Sequence, residues 1–215
     1  MNYISRCSTF TIIARDPDTG KFGIATQSEH PAASAVVPWA RFNAGTVATQ
    51  ANVNPDHGAK ALDLLEQDAG AIDALELLIE SDSMFQTRQI AIVDLDGTAA
   101  AFTGKECQEW AGHFTGPGYV CLGNKIVGDE VINAMVDSFE NLLNGDFGDR
   151  MLQGLSAGIE AGGNLQGMQS ATLLVSHQEE RYRGKSDCFL DLRVDGNLNP
   201  INELKRRYSI QKEHY

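Results

Sequence analysis

From Thr9 to Ser28 the chain runs apolar and β-branched through "TFTIIARD", breaks at "PDTG" and resumes in "KFGIATQS". Two strand-like runs around a cluster of turn residues predict a β-hairpin. A loop carrying "HPAAS" and "VPWAR" leads to "GTVATQA", Gly45 to Ala51, which predicts a third strand ending in polar "NVNPDHG". Two helices follow, "HGAKALDLLEQDAG" and "AIDALELLIESD", the second with Ala71, Ala74, Leu75 and Leu78 at the spacing of one helix face. "RQIAIVDLDGTAAAFTG" predicts another hairpin turning at Gly97.

Beyond "CQEWAGHFTGPGYVCLGN", one helical stripe runs through Ile132, Met135, Val136, Phe139, Leu142 and Leu143, and a second through Met151, Leu152, Leu155 and Ile159. "SATLLVSH" and "CFLDLRV" predict strands, and a last helix starts near Pro200. Helices in pairs, rather than alternating singly with strands, argue against a doubly wound parallel sheet. They predict an α/β (α+β) fold: a four-layer α/β/β/α sandwich of two mainly antiparallel sheets flanked by helix pairs.

Charge narrows the function classes. In 215 residues, 17 Lys and Arg stand against 29 Asp and Glu, a formal net charge of -12. Such a surface repels phosphate backbones and anionic membranes, so neither nucleic acid nor a membrane is an expected partner. Cys7, Cys107, Cys121 and Cys188 are scattered and form no C-x-x-C pair, which fits reduced thiols in a cytoplasm. The N-terminus lacks an apolar export segment, and His30, His57, His177 and His214 show no metal-ligand spacing. No metal or cofactor is expected, and a homodimer is the expected assembly.

Candidate chemistry begins in "RCSTF", where Cys7, Ser8 and Thr9 stand in succession at the mouth of the first strand. A threonine hydroxyl needs a base, and a free α-amine on the same residue, with a reference pKa of about 7.7 to 8.0, can serve. Thr9 would acquire that amine only by cleavage of the Ser8–Thr9 bond, which its own hydroxyl could attack. The ordinary alternative is a strand-edge threonine chosen for β-propensity. Cys107 and His113, bracketing "QEWAGH", are a weaker thiol–imidazole candidate without an orienting third group.

Over Thr9 to about Arg193, "TFTIIARDPDTGKFGIA", "VVPWAR", "GTVATQANVNP", "VDLDGTAAAFTG", "EWAGH", "GYVCLGN", "AGGN" and "QSATLLV" occur in one order. In that order the chain resembles an uncharacterised bacterial family, a domain of unknown function with an N-terminal-nucleophile (Ntn) hydrolase-like fold, the architecture of proteasome β-subunits. The resemblance implies that Thr9 stands where the nucleophile of such hydrolases stands. It makes residues 1–8 an N-terminal leader or extension and 9–215 a single domain, and Arg41 a cation that would lower the amine's pKa. Ser28, Thr49, Gln50, Ala51, Asn164, Gln169 and Ser170 would form the oxyanion or substrate pocket, with backbone donors from the strand end Ala48 to Ala51. Arg41 has a plainer alternative, stacked near Trp39 or paired with a surface carboxylate.

The chain departs from the family where A-G-G-D is common and "AGGN" places neutral Asn164, and where Gln166 replaces a frequent arginine. Two readings follow. One is an amidohydrolase acting on a small-molecule C–N bond through Thr9; the other is a non-catalytic scaffold that binds a small ligand or partner with its N-terminus uncut. The first requires a solvent-reachable Thr9 with a guanidinium beside it.

Overall fold

Ten strands and five helices make up a computed structural model that describes residues 8–142, 145–177 and 189–213. The strands are β1 (Thr9–Arg15), β2 (Phe22–Ser28), β3 (Pro38–Arg41), β4 (Gly45–Ala51) and β5 (Arg88–Asp94), then β6 (Ala99–Thr103), β7 (Ala111–Gly116), β8 (Tyr119–Asn124), β9 (Ser170–Ser176) and β10 (Leu190–Val194). The helices are α1 (Pro55–Glu66), α2 (Ala71–Ser81), α3 (Asp129–Asn141), α4 (Phe147–Glu160) and α5 (Pro200–Lys212). Six strands form one sheet in the order β10-β9-β2-β1-β8-β7, and four form another in the order β3-β4-β5-β6. Every pairing within them is antiparallel.

Strand periodicity sorts side chains between layers. On β1, Phe10, Ile12 and Ala14 join Met135, Met151 and Leu155 of α3 and α4 in one apolar cluster. Ile13 points the other way, into a second cluster with Ile24, Ala48, Ala91, Val93, Val120 and Leu122 that lies between the sheets. A third cluster sets Val47, Ile90 and Ile92 of β4 and β5 against Leu62, Leu65, Leu75 and Leu78 of α1 and α2. The space between the sheets is apolar at that end only. Along the same faces toward the start of β1 it is lined by Thr9, Thr11, Thr26, Gln50 and Gln89, all buried.

Helix starts follow local chemistry. Asn54 accepts from the Asp56 N–H at 3.2 Å with Pro55 at the first helical position, and Asp146 accepts from the Asp149 N–H at 2.9 Å. The α2 N-terminus is capped from β5 instead: Asp94 Oδ2 accepts from the Ala71 N–H at 2.9 Å.

The structure differs from the sequence pattern in three places. "VPWAR" is not wholly loop: Pro38–Arg41 is an edge strand paired with β4. "AGHFTGPGYVCLGN" holds a whole hairpin, β7 and β8, turning through Gly118 at φ 76°. The α3 stripe stops at Asn141, so Leu142 lies beyond the last turn, and Leu143 falls outside the described residues. Cys7, Cys188 and His214 fall outside them too.

A buried ionic cluster ties α1 to the end of α2. His57 Nε2 lies 3.2 Å from Asp82 Oδ2, which also accepts from Arg88 Nε at 2.8 Å, while Arg88 donates to the Asn52 carbonyl. Burial raises the Asp82 pKa, but the hydrogen bonds from Arg88 and the Met84 N–H, with the nearby positive charge, outweigh it and leave the pKa below the usual carboxylate value. Burial holds His57 below its ordinary value. Both folded pKa values are depressed, so both contributions are complete above the unfolded values and are lost as pH falls, first for His57 below about 6.5. Urea midpoints should fall between pH 7.5 and pH 5.5, and fall less in His57→Gln; parallel declines would remove His57 as the cause.

Gly58 supplies a second test. A Cβ there would overlap the Trp39 indole, whose Nε1 donates to the Val36 carbonyl at 2.9 Å. Helix propensity alone favours Gly58→Ala by about 1 kcal/mol, whereas overpacking costs about 1–3 kcal/mol. Packing outweighs propensity, so equilibrium unfolding should show Gly58→Ala less stable than the parent.

Candidate active site

Ser8 and Thr9 enter the six-stranded sheet where β1 pairs with both β2 and β8, with Thr9 opposite Ser28 on one side and Asn124 on the other. Ser8 is fully buried and Thr9 is 2% exposed. The carbonyl oxygen of Ser8, the acyl half of the Ser8–Thr9 peptide bond, accepts three hydrogen bonds. They come from the Ser28 hydroxyl at 3.0 Å, the Glu29 N–H at 3.1 Å and the Asn164 side-chain amide at 3.3 Å.

Proton counting then orders the hydroxyls. A carbonyl cannot donate, so Ser28 spends its single proton on the Ser8 oxygen. The 2.9 Å contact between Thr9 Oγ1 and Ser28 Oγ is therefore donated by Thr9, and Ser28 Oγ also accepts from the His30 N–H at 3.1 Å. A directed chain results, from the Thr9 hydroxyl through Ser28 to the carbonyl of the preceding residue.

The rest of Ser8 is held as well. Its N–H donates to Glu29 Oε1 at 2.9 Å, and its hydroxyl donates to the Lys125 carbonyl at 2.6 Å. Lys125 has a left-handed backbone, φ 52°, uncommon for a side chain with a Cβ. With its nitrogen turned toward Glu29, the Gln166 amide donates to both carboxylate oxygens at 2.7 and 3.2 Å.

From the facing sheet, Gln50 Nε2 reaches the Thr9 carbonyl at 3.3 Å and Gln89 Oε1 at 2.7 Å, while its Oε1 accepts from Thr11 at 2.6 Å. Gln89 donates onward to the Thr103 hydroxyl and the Gly112 and Gly123 carbonyls, each at 2.9 Å. The buried amides thus find partners in both sheets, as burial demands.

Around Ser28 the structure gathers Asn164, Gln169 and Ser170, while Gln50 reaches the Thr9 carbonyl from the facing sheet. Gln169 donates its N–H to the Ser28 carbonyl at 2.8 Å, and Ser170 Oγ donates to the His30 carbonyl at 2.7 Å. Asn164 also donates to Gln27 Oε1 at 3.0 Å, while its own Oδ1 is buried without a partner among the described residues. Thr49 lies on the same strand as Gln50, its hydroxyl buried and without a partner among the described residues. Ala51 ends β4 at φ 66° and pairs with Arg88. The donors to the Ser8 carbonyl come from β2, its following residue and the segment after α4, not from the β4 end.

Arg41 is not brought to Thr9. It pairs with Gly45, at the far end of β4 from Gln50, roughly 17 Å along the strand at the usual rise. Its guanidinium meets Asp63 at 2.9 Å and Glu66 at 2.5 Å. Nor does Thr9 open on a cleft as expected, since with Ser8 in place its side chain is buried. Cys107 and His113 do not meet as a pair either: Cys107 Sγ donates to the Arg88 carbonyl at 3.3 Å, and His113 Nδ1 shares a 2.8 Å hydrogen bond with Thr103. Burial pushes the Cys107 thiol up, away from thiolate character. Among the described residues no cluster of three or more His, Cys, Asp or Glu has the arrangement of a metal site, and no helix is long and apolar enough to cross a membrane.

Sequence reasoning missed Ser8 as a site residue, and with it Glu29 and Lys125. The one available signal was hairpin register, which sets Glu29 directly past Ser28 and so beside the residue preceding Thr9.

A model of a family of unknown function (DUF1028) matches residues 9–204, beginning at Thr9. A crystal structure of protein SPO2555 from Silicibacter pomeroyi, of the same family model, superposes with a TM-score of 0.85 at 32% identity, covering 94% of this chain and 88% of that one. No curated protein matches.

Proposed function

The chain belongs to the DUF1028 family of unknown function, and on that footing we propose that it is an Ntn-type amidohydrolase with Thr9 as nucleophile, released by self-cleavage of the Ser8–Thr9 bond. In this reading the two sheets and their helix layers are the α/β/β/α sandwich of that hydrolase class. One observation carries it: the Ser8 carbonyl sits in three donors while the Thr9 hydroxyl donates, through Ser28, toward the same oxygen.

The step balances as follows. Thr9 Oγ1 bonds to the Ser8 carbonyl carbon as its proton moves to Ser28 Oγ and the Ser28 proton moves to the Ser8 oxygen. The Glu29 N–H and Asn164 amide stabilise the partial negative charge that oxygen carries before the Ser28 proton arrives. Collapse breaks the carbon–nitrogen bond, and the proton returns through Ser28 to the Thr9 nitrogen, leaving an ester between Ser8 and the Thr9 hydroxyl. Water hydrolyses the ester to a Ser8 carboxylate and a Thr9 bearing a free amine and hydroxyl. That amine becomes the base for later turnovers.

A second reading is a ligand-binding scaffold that never cleaves. The closure of Thr9 beneath Ser8 and the commitment of Arg41 to Asp63 and Glu66 favour it. Intact-mass analysis of the purified full chain separates the two. The hydrolase reading expects loss of Met1 to Ser8 and a new N-terminal threonine, no loss in Thr9→Ala, and about 10²- to 10³-fold slower loss in Asn164→Ala. A mass that never changes under folding conditions leaves the scaffold.

A further inference from the structure

We propose that the position filled by Ser8 is the enzyme's acyl subsite, and that the substrate is an amide whose acyl half is a serine-type amino acid with a free amine. The inference rests on the hydrolase reading above and adds its substrate class. The acyl carbon that Thr9 attacks in self-cleavage and the one it attacks in each later turnover meet the same hydroxyl and need the same donors at the carbonyl oxygen, although the leaving nitrogen is Thr9's own in the first and the substrate's in the second. Whatever holds Ser8 therefore holds the acyl group of the substrate.

Every polar group of Ser8 has a dedicated partner. The carbonyl oxygen lies among Ser28, Glu29 N–H and Asn164, the arrangement any acyl group needs. The other two contacts discriminate. The Ser8 hydroxyl donates at 2.6 Å to the Lys125 carbonyl, which the left-handed backbone of Lys125 presents and which Leu165 N–H also approaches at 3.2 Å. An acyl group without the hydroxyl leaves that carbonyl with the Leu165 N–H alone and one lone pair unserved, so alanyl or leucyl groups are penalised. The Ser8 nitrogen donates to the Glu29 carboxylate at 2.9 Å, steadied by Gln166. The carboxylate already makes that contact charge-assisted, and an ammonium in the place of the N–H adds the opposite charge and turns it into an ion pair.

The full chain is allowed to process to completion, checked by mass, and is then given the aminomethylcoumarin amides of L-serine, L-alanine, L-leucine and N-acetyl-L-serine. The seryl amide should be turned over with kcat/KM at least about tenfold above each of the others, and Glu29→Gln should narrow its lead over the N-acetylseryl amide. A processed enzyme that cleaves the alanyl, leucyl or N-acetylseryl amide as fast overturns the subsite assignment while leaving the hydrolase intact. A chain whose mass never changes overturns both, and the mass record tells these failures apart. The substrate comparison is made on the parent protein, so its outcome stands whether or not Glu29→Gln folds.

Discussion

A peptide bond buried at the mouth of a sheet must have its carbonyl satisfied, and here the satisfying groups are a hydroxyl, an amide and a backbone N–H converging on one oxygen. The rest of the site depends on that constraint. Ser28 can serve the Ser8 carbonyl only by giving up its one proton, which fixes Thr9 as donor to Ser28 and sets the direction of the whole chain of hydrogen bonds. Stability and reactivity then share one geometry, since the donors that make burial of Ser8 tolerable are those that would stabilise an oxyanion at the same atom.

The sheets make this geometry rigid. Apolar contacts anchor one end of the intersheet space, through Ile13, Ile24, Ala48 and Val93. At the other end Gln50 and Gln89 bridge the sheets and reach the Thr9 carbonyl. A polar network confined to one end of an otherwise apolar interface fixes the alignment of the two sheets, because sliding either one would strand several buried amides at about 1–3 kcal/mol each. The start of β1 is thereby held in place from three sides, by β2, β8 and Gln50.

Sequence periodicity made most of the architecture legible. The β1–β2 hairpin, β4 from Gly45 to Ala51 and the helix from Pro200 follow from alternation, turn residues and capping chemistry. The β7–β8 hairpin did not, because Ala111, Gly112 and Gly116 dilute its β-propensity and His113, Phe114 and Thr115 are exposed, so no apolar alternation survives. Thr9 was raised by the run of three nucleophiles at the strand mouth, and Ser28 entered only through the resemblance to an Ntn-like family. Arg41 was misread for a tertiary reason: its neighbours Asp63 and Glu66 are on α1, and no local feature of "PWAR" shows which end of β4 it occupies. The hold on Ser8 was invisible because its partners include two backbone groups, the Lys125 carbonyl and the Glu29 N–H, and backbone groups leave no residue signature.

The central claim concerns the polarisation of one carbonyl, and isotope-edited infrared spectroscopy reads that carbonyl directly. With carbon-13 at the Ser8 carbonyl of the uncleaved chain, held uncleaved by Thr9→Ala, three converging donors predict a labelled amide band at lower frequency than that of an ordinary strand carbonyl, moving up when Ser28→Ala is added. A band at the ordinary strand position that ignores Ser28 would contradict the claim.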